Sequence, residues 1–184
     1  MKIYLILFLF LTFICNISFG QITHSISVGP ELGILSKIAG RSSSYAGPGG
    51  SVEYRVKFNA PVAAQLHIGY NHFKDQLGGM VNFLPVRAGL VGFIYKDLIF
   101  VNADVGISHY HGVTTNTNQN GLSFGVGAGY KQPLTNNQFI QFSAYFNSHN
   151  YKDPAFGQDY NYNWFNFRVA YGLSFKRHNI PKEK

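Results

Sequence analysis

Residues 82–111 read NFLPVRAGLVGFIYKDLIFVNADVGISHYH and alternate in polarity almost from end to end. Leu84, Val86, Ala88, Leu90 and Gly92 share one face of an extended segment, while Phe83, Arg87, Gly89 and Val91 share the other. A period of two is that of a β-strand. After Tyr95-Lys96-Asp97 the pattern resumes, with Ile99, Val101, Ala103, Val105 and Ile107 on one side and Phe100, Asn102, Asp104, Gly106 and Ser108 on the other. The stretch is therefore expected to form a β-hairpin with a tight turn. One face is apolar throughout, whereas the other carries Arg87 and Asp104 among small residues.

Two environments would produce such a hairpin, and they place the apolar face on opposite sides. In a soluble barrel that face points inward, and the outer face is rich in charge. Charged residues make up only 12% of this chain, against roughly a quarter in ordinary soluble domains. The non-apolar faces hold Ser, Asn, Gln and Gly with a few charges, which suits a closed, wet interior. The apolar face is accordingly read as facing lipid, and a sheet that spans hydrocarbon must close, because an open edge would leave backbone groups without partners.

Residues 1–20 have the form of a cleaved secretory signal peptide: Lys2, then the apolar run Ile3–Cys15, then Asn16-Ile17-Ser18-Phe19-Gly20. That run is shorter than the roughly 20 residues a spanning helix needs. Cys15 is the chain's single cysteine. Cleavage would therefore leave residues 21–184 as one cysteine-free barrel domain, without disulfides or thiolate metal sites. The formal net charge of +7 is scattered. It forms no basic stripe with interleaved aromatics, so no nucleic-acid partner is expected. Aromatics reach 16%, and many flank the apolar faces, as in the girdles of membrane barrels.

Taken in order, the same alternation yields eight strands. The first, His24–Leu35, turns Ile26, Val28, Pro30, Leu32 and Ile34 outward and Glu31 inward. Ser36–Gly50, rich in Ser and Gly, reads as a long loop. The second strand, Ser51–Phe58, has Glu53, Arg55 and Lys57 inward, and the third covers Ala63–Phe73. The hairpin at 82–111 supplies two more, followed by a polar loop at Gly112–Gly121. A sixth, Leu122–Lys131, has inward glycines that leave room for side chains from other strands, and Gly127 is expected to accept serine there. The seventh spans Phe139–Asn147, and a loop over Ser148–Tyr162 leads to the eighth, Asn163–Phe175. Loops after odd strands are read as longer than or equal to the turns after even ones, which would put the long side outside the cell. The expected fold is an eight-stranded antiparallel up-and-down transmembrane β-barrel.

The order of features resembles the small outer-membrane β-barrel domain of Gram-negative bacteria, the OmpA/OmpX-like and PorT-like group. The residues that carry the likeness are Phe83-Leu84-Pro85-Val86-Arg87, then Phe100–Gly106, then the aromatic-alternating end Tyr171-Gly172-Leu173-Ser174-Phe175. It covers the whole mature chain, although the tail Lys176–Lys184 departs from barrels that end on their last aromatic. The resemblance implies residence in the outer membrane with lipid as partner.

Glu31, Glu53, Arg55, Arg87, Asp104 and Arg168 are expected to be structural charges of the lumen. Strand eight pairs with strand one in such a barrel, so Arg168 should come level with Glu31, and Arg87 with Asp104 across the central hairpin. His72, His109, His111 and His149 lie at loop-side strand ends, but a metal site needs three or four converging ligands. No cofactor, metal or catalytic set is assigned, and the barrel is expected to act as a monomer. The favoured role is structural or surface-interacting, with loops 112–121 and 148–162 available to envelope or extracellular proteins. Eight strands leave too narrow an interior for a wide pore. The alternatives are a soluble secreted ligand-binding barrel and, behind it, a lipid A-modifying barrel enzyme, for which Ser148-His149 and His109-Tyr110-His111 invite comparison.

Overall fold

The computed structural model describes residues 22–38, 41–58, 61–74, 79–113, 117–152 and 159–176. The expected signal peptide and the tail after Lys176 lie outside the described residues. Eight strands follow one another: β1 (Thr23–Ile38), β2 (Arg41–Lys57), β3 (Val62–Lys74), β4 (Met80–Tyr95), β5 (Ile99–Gly112), β6 (Thr117–Pro133), β7 (Gln138–Lys152) and β8 (Asp159–Lys176). Each pairs antiparallel with its sequence neighbours, and β1 pairs with β8 to close the barrel. The expected fold class is the observed one.

The face assignments hold round the circumference. Every strand contributes large apolar side chains to the outer surface, among them Val28, Val52, Ile68, Leu90, Val105, Val126, Phe142 and Val169. Glu31, Glu53, Arg55, Arg87, Asp104 and Arg168 point inward and are all buried. Inverted in this way, the barrel is the opposite of a soluble one, whose apolar residues would fill the interior.

A closed barrel has no edge strand on which to place a proline. Pro30 instead coincides with a gap in the β1–β8 ladder, which pairs Val28 with Tyr171 and resumes only at Glu31 with Arg168. Pro85 coincides with a gap in the β3–β4 ladder between Ile68↔Val86 and Asn71↔Phe83. Each proline lacks the N–H for the ladder on one side and stays paired on the other, Pro30 with Gly50 and Pro85 with Ser108.

The strand ends differ from expectation. The segment 36–50, expected as a loop, is strand up to Ile38 and again from Arg41, with Leu35↔Tyr45 paired and, after a register shift between Leu35 and Lys37, Ile38↔Arg41 paired as well. Ser and Gly have poor strand propensity, but pairing with a neighbouring strand overrides it. Likewise 112–121 and 148–162 give most of their residues to strands, leaving connections at 113–116 and 153–158. The connections at the two ends are thus alike in length, and the asymmetry lies in the walls. At the end away from the termini, outward positions change to His72, Asn82, His109, Asn120, Asn161 and Asn163, a polar overhang above the apolar belt.

The central turn is as tight as expected. Lys96 and Asp97 have φ of 43° and 63°, and the Leu98 amide donates to the Tyr95 carbonyl at 2.7 Å, the geometry of a two-residue primed turn. Lysine carries the left-handed penalty there without the local hydrogen bonding that favours Asn. Lys96→Asn should raise barrel stability by about 0.5–1 kcal/mol, a fraction of the roughly 1–2 kcal/mol left-handed cost, measured by urea unfolding in micelles.

Gly127 corrects the expectation that its position tolerates serine. A Cβ there would sit 2.5 Å from Tyr145 Cδ1 and 2.9 Å from Asn102 Oδ1, so the glycine is space taken by other strands. Gly127→Ser should destabilise by about 1–3 kcal/mol through overpacking. Val126→Arg, one residue away on the outer face, should cost about 2–4 kcal/mol in bilayers, while lumenal Ser143→Ala should be near neutral. Refolding yields into vesicles check the series, and equal tolerance at Val126 and Ser143 would refute the in/out assignment.

Candidate functional site within the barrel lumen

The interior has three layers. At the end away from the termini, inward positions of β1, β3, β4, β5 and β8 bring Leu35, Phe73, Val81, Phe83, Tyr110, Tyr162 and Trp164 into one buried cluster. Phe83 is its centre: its ring stacks on Trp164 at 4.9 Å and lies 5.3 Å from Tyr162, 5.5 Å from Tyr110 and 5.4 Å from His149. Such ring pairs contribute about 0.5–1.5 kcal/mol each beyond burial. This aromatic plug was not anticipated. Its signal was present, because Phe83 is in phase with Arg87, Tyr110 with Asp104, and Trp164 with Arg168, so all fall on lumen faces.

Below the plug lies an ionic network that joins all six charges read from the sequence. Glu53 is its hub: Arg55 Nη2 donates to it at 2.8 Å, Gln141 Nε2 at 3.0 Å and the Tyr145 hydroxyl at 2.5 Å, while Arg168 Nη1 lies 3.3 Å away. Arg168 Nε is 3.8 Å from Glu31, its direct cross-strand neighbour, and Glu31 also accepts from Ser51 Oγ and from Asn166 Nδ2. On the other side, Arg55 Nε donates to Gln65 Oε1 at 2.9 Å, and Gln65 Nε2 donates to Asp104 Oδ2 at 3.3 Å. Asp104 completes the series with Arg87 Nε at 2.7 Å. That last pair is diagonal, since Arg87 stands opposite Gly106 and Asp104 opposite Gly89. Gly125 makes room for it: a Cβ there would meet Asp104 Oδ1 at 2.6 Å. Three carboxylates match three guanidiniums in number, and His67 Nδ1 lies 3.5 Å from Glu53 Oε1.

The third layer, at the mouth beside the termini, is cationic and open. Lys57 pairs with Asp97, Arg55 stacks over Phe100 at 4.2 Å, and Lys131 lies over Phe139 at 3.9 Å.

The histidines do not converge. His72, His109 and His111 face outward on the polar overhang, with Nδ1 2.6 Å from Asn82 Oδ1, 2.8 Å from Asn120 Oδ1 and 2.7 Å from Asn118 Oδ1, respectively. His149 is instead inside the barrel against Phe83, which corrects its placement among the rim histidines. Among the described residues no group of three or more His, Cys, Asp or Glu could hold a metal ion. Ser148 and His149, consecutive in an extended strand, project to opposite faces, so they form no nucleophile–base pair.

No family model and no curated protein sequence matches the chain. Solved structures do. The attachment invasion locus protein Ail of Yersinia pestis, solved in complex with the heparin analogue sucrose octasulfate, is 17% identical with a TM-score of 0.57, over 85% of this chain and 100% of that one. Neisserial surface protein A is 10% identical with a TM-score of 0.63, over 85% of this chain and 99% of that one. At these identities the likeness is one of fold, that of the small eight-stranded outer-membrane barrels.

Because Glu53 contacts both Arg55 and Arg168, Glu53→Gln should be the most damaging single change in the lumen, at about 3–5 kcal/mol, the usual cost of leaving buried charge unpaired. Glu31→Gln should cost less, and its double mutant with Arg168→Gln should fall short of the sum of the singles. Urea titrations followed by gel mobility read these differences, and strict additivity would mean the Glu31–Arg168 contact carries no coupling.

Proposed function

We propose that the chain is an integral outer-membrane β-barrel of a Gram-negative envelope, delivered by the signal peptide at residues 1–20, with a structural or surface-interaction role and no enzymatic or wide-pore activity. The observation that carries this reading is the outer face, on which exposed large apolar residues from every strand form a continuous belt. A soluble monomer rarely exposes an apolar patch beyond a few hundred Å², and a belt round the whole circumference needs lipid to cover it. The filled lumen supports the rest. The plug and the network occupy the space a conducted solute or an enclosed ligand would need, and this weighs against both a pore and a soluble ligand-binding barrel.

The overhang away from the termini is the surface we assign to the cell exterior, with envelope or extracellular proteins as partners at its strand connections. Its outward His–Asn pairs suit the boundary between apolar belt and water, where side chains with polar tips replace aliphatic ones. Ail, a barrel of the same fold, was solved in complex with a heparin analogue, an example of this fold engaging a ligand.

Cells expressing the chain should hold it in the outer-membrane fraction, as a band whose gel mobility changes on heating. An epitope inserted between β7 and β8 at residues 153–158 should bind antibody on intact cells, because polar segments between strands tolerate insertion better than the strands themselves. Recovery in the soluble periplasmic or secreted fraction would overturn the membrane reading. Staining only after permeabilisation, with the barrel still in the membrane fraction, would invert the topology.

A further inference from the structure

We propose that the open mouth of the barrel beside its termini is a binding site for a compact phosphate- or carboxylate-bearing anion. The site goes beyond the envelope role above and does not depend on which side of a membrane the mouth faces. A cavity of about 270 Å³ opens there. Four cations, Arg55, Lys57, Lys96 and Lys131, line it with a single carboxylate, Asp97, and with the rings of Phe93 and Phe139.

The charges are arranged unequally. Arg55 is held by Glu53 and Gln65 deeper in the lumen, and Lys57 is paired with Asp97. Lys131 is different: it lies over the Phe139 ring at 3.9 Å and reaches Ser174 Oγ at 3.3 Å, and among the described residues no carboxylate stands within ion-pairing distance of it. Lys96 stands at the rim on the primed turn, its Nζ 5.4 Å from the Tyr95 ring. An anion in the cavity would give Lys131 the counter-charge it lacks, through charge-assisted hydrogen bonds that are roughly twice as strong as neutral ones. Ser25 and Ser174 supply hydroxyl donors on the same wall.

The layers above make this a binding site and not an entrance. A cleft in which one sign of charge predominates concentrates counter-ions, but the charge-paired network and the aromatic plug fill the lumen beyond it. The mouth is a cup. Phe93, under Lys57 at 5.1 Å, and Phe139 keep the cationic side chains extended over ring faces, so their heads stay directed at the cavity without an anion present. A lipid headgroup and a soluble anion offer the same phosphate chemistry, and the test separates them.

The barrel is refolded in dodecylmaltoside, which carries no phosphate, and titrated with inorganic phosphate at constant ionic strength held by chloride. The Lys131 and Ser174 amide resonances are followed by NMR. A saturable shift is expected, with at least a tenfold weaker Kd in Lys131→Gln, a severalfold weaker one in Lys96→Asn and no change in Lys74→Gln at the opposite end. Because Lys96 is exposed on a turn, its variant keeps the test intact should Lys131→Gln fold poorly. In a second arm, nanodiscs doped with phosphatidylglycerol and free of added phosphate report a headgroup occupant by the same resonances, against discs of phosphatidylcholine alone. Saturation by phosphate or an anionic-headgroup shift, lost on substitution at Lys131 or Lys96, supports the site and names its source. Linear drift in both arms, or binding that survives both substitutions unchanged, overturns it.

Discussion

Once β1 pairs with β8, eight strands enclose an interior that side chains must fill, and most of what is distinctive in this molecule follows from that closure. The outer face takes the aliphatic residues. The inner face must then be packed with what remains, and packing density near that of a crystal leaves little tolerance for misfit. Hence the glycines of β6 stand where Arg87, Asp104, Tyr145 and Phe100 need room. A glycine on one strand and a large side chain on the next are one packing decision, legible only when both strands are in place.

The ionic network answers a problem that alternation leaves open. A one-residue slip between strands turns every side chain to the wrong face and is strongly disfavoured. A two-residue slip keeps every face correct. Shifting β8 by two against β1 would leave the belt intact but take Arg168 away from Glu31 and from Ser27, whose hydroxyl it reaches at 3.1 Å. Each buried charge left alone would then carry its desolvation cost. Charges that add little to stability relative to a hydrocarbon core therefore select one register among those that hydrophobic patterning cannot tell apart. Glu53, on β2, draws its partners from β2, β3, β7 and β8, so several strand positions are checked at one residue.

This division explains what could be read from the chain. The belt, the closure, the turn at Lys96-Asp97 and the proximity of Arg168 to Glu31 all depend on parity and counting, which a single sequence supplies. Strand ends do not. Between residues 36 and 50 the composition speaks for a loop, yet the neighbouring strands offer a ladder and the backbone takes it. The aromatic plug was hidden for a related reason: abundant aromatics suggested an outer girdle, although parity already placed Phe83 and Trp164 inside. The tolerance expected at Gly127 failed because it depends on Tyr145, a residue of the adjacent strand with no fixed spacing in sequence.

The two ends of the lumen are finished with different chemistry, and the difference bears on what the barrel can do. Aromatic rings at one end are buried against one another. The cations at the other end cannot pack against one another, so they lean on single rings and on hydroxyls and leave space between them. Between the two, the network's guanidiniums and carboxylates are paired with one another, and Arg55, which also lines the mouth, is held by Glu53. Beyond Lys131 stand charges already paired with one another and then packed rings, an arrangement that favours retention of an anion over its passage.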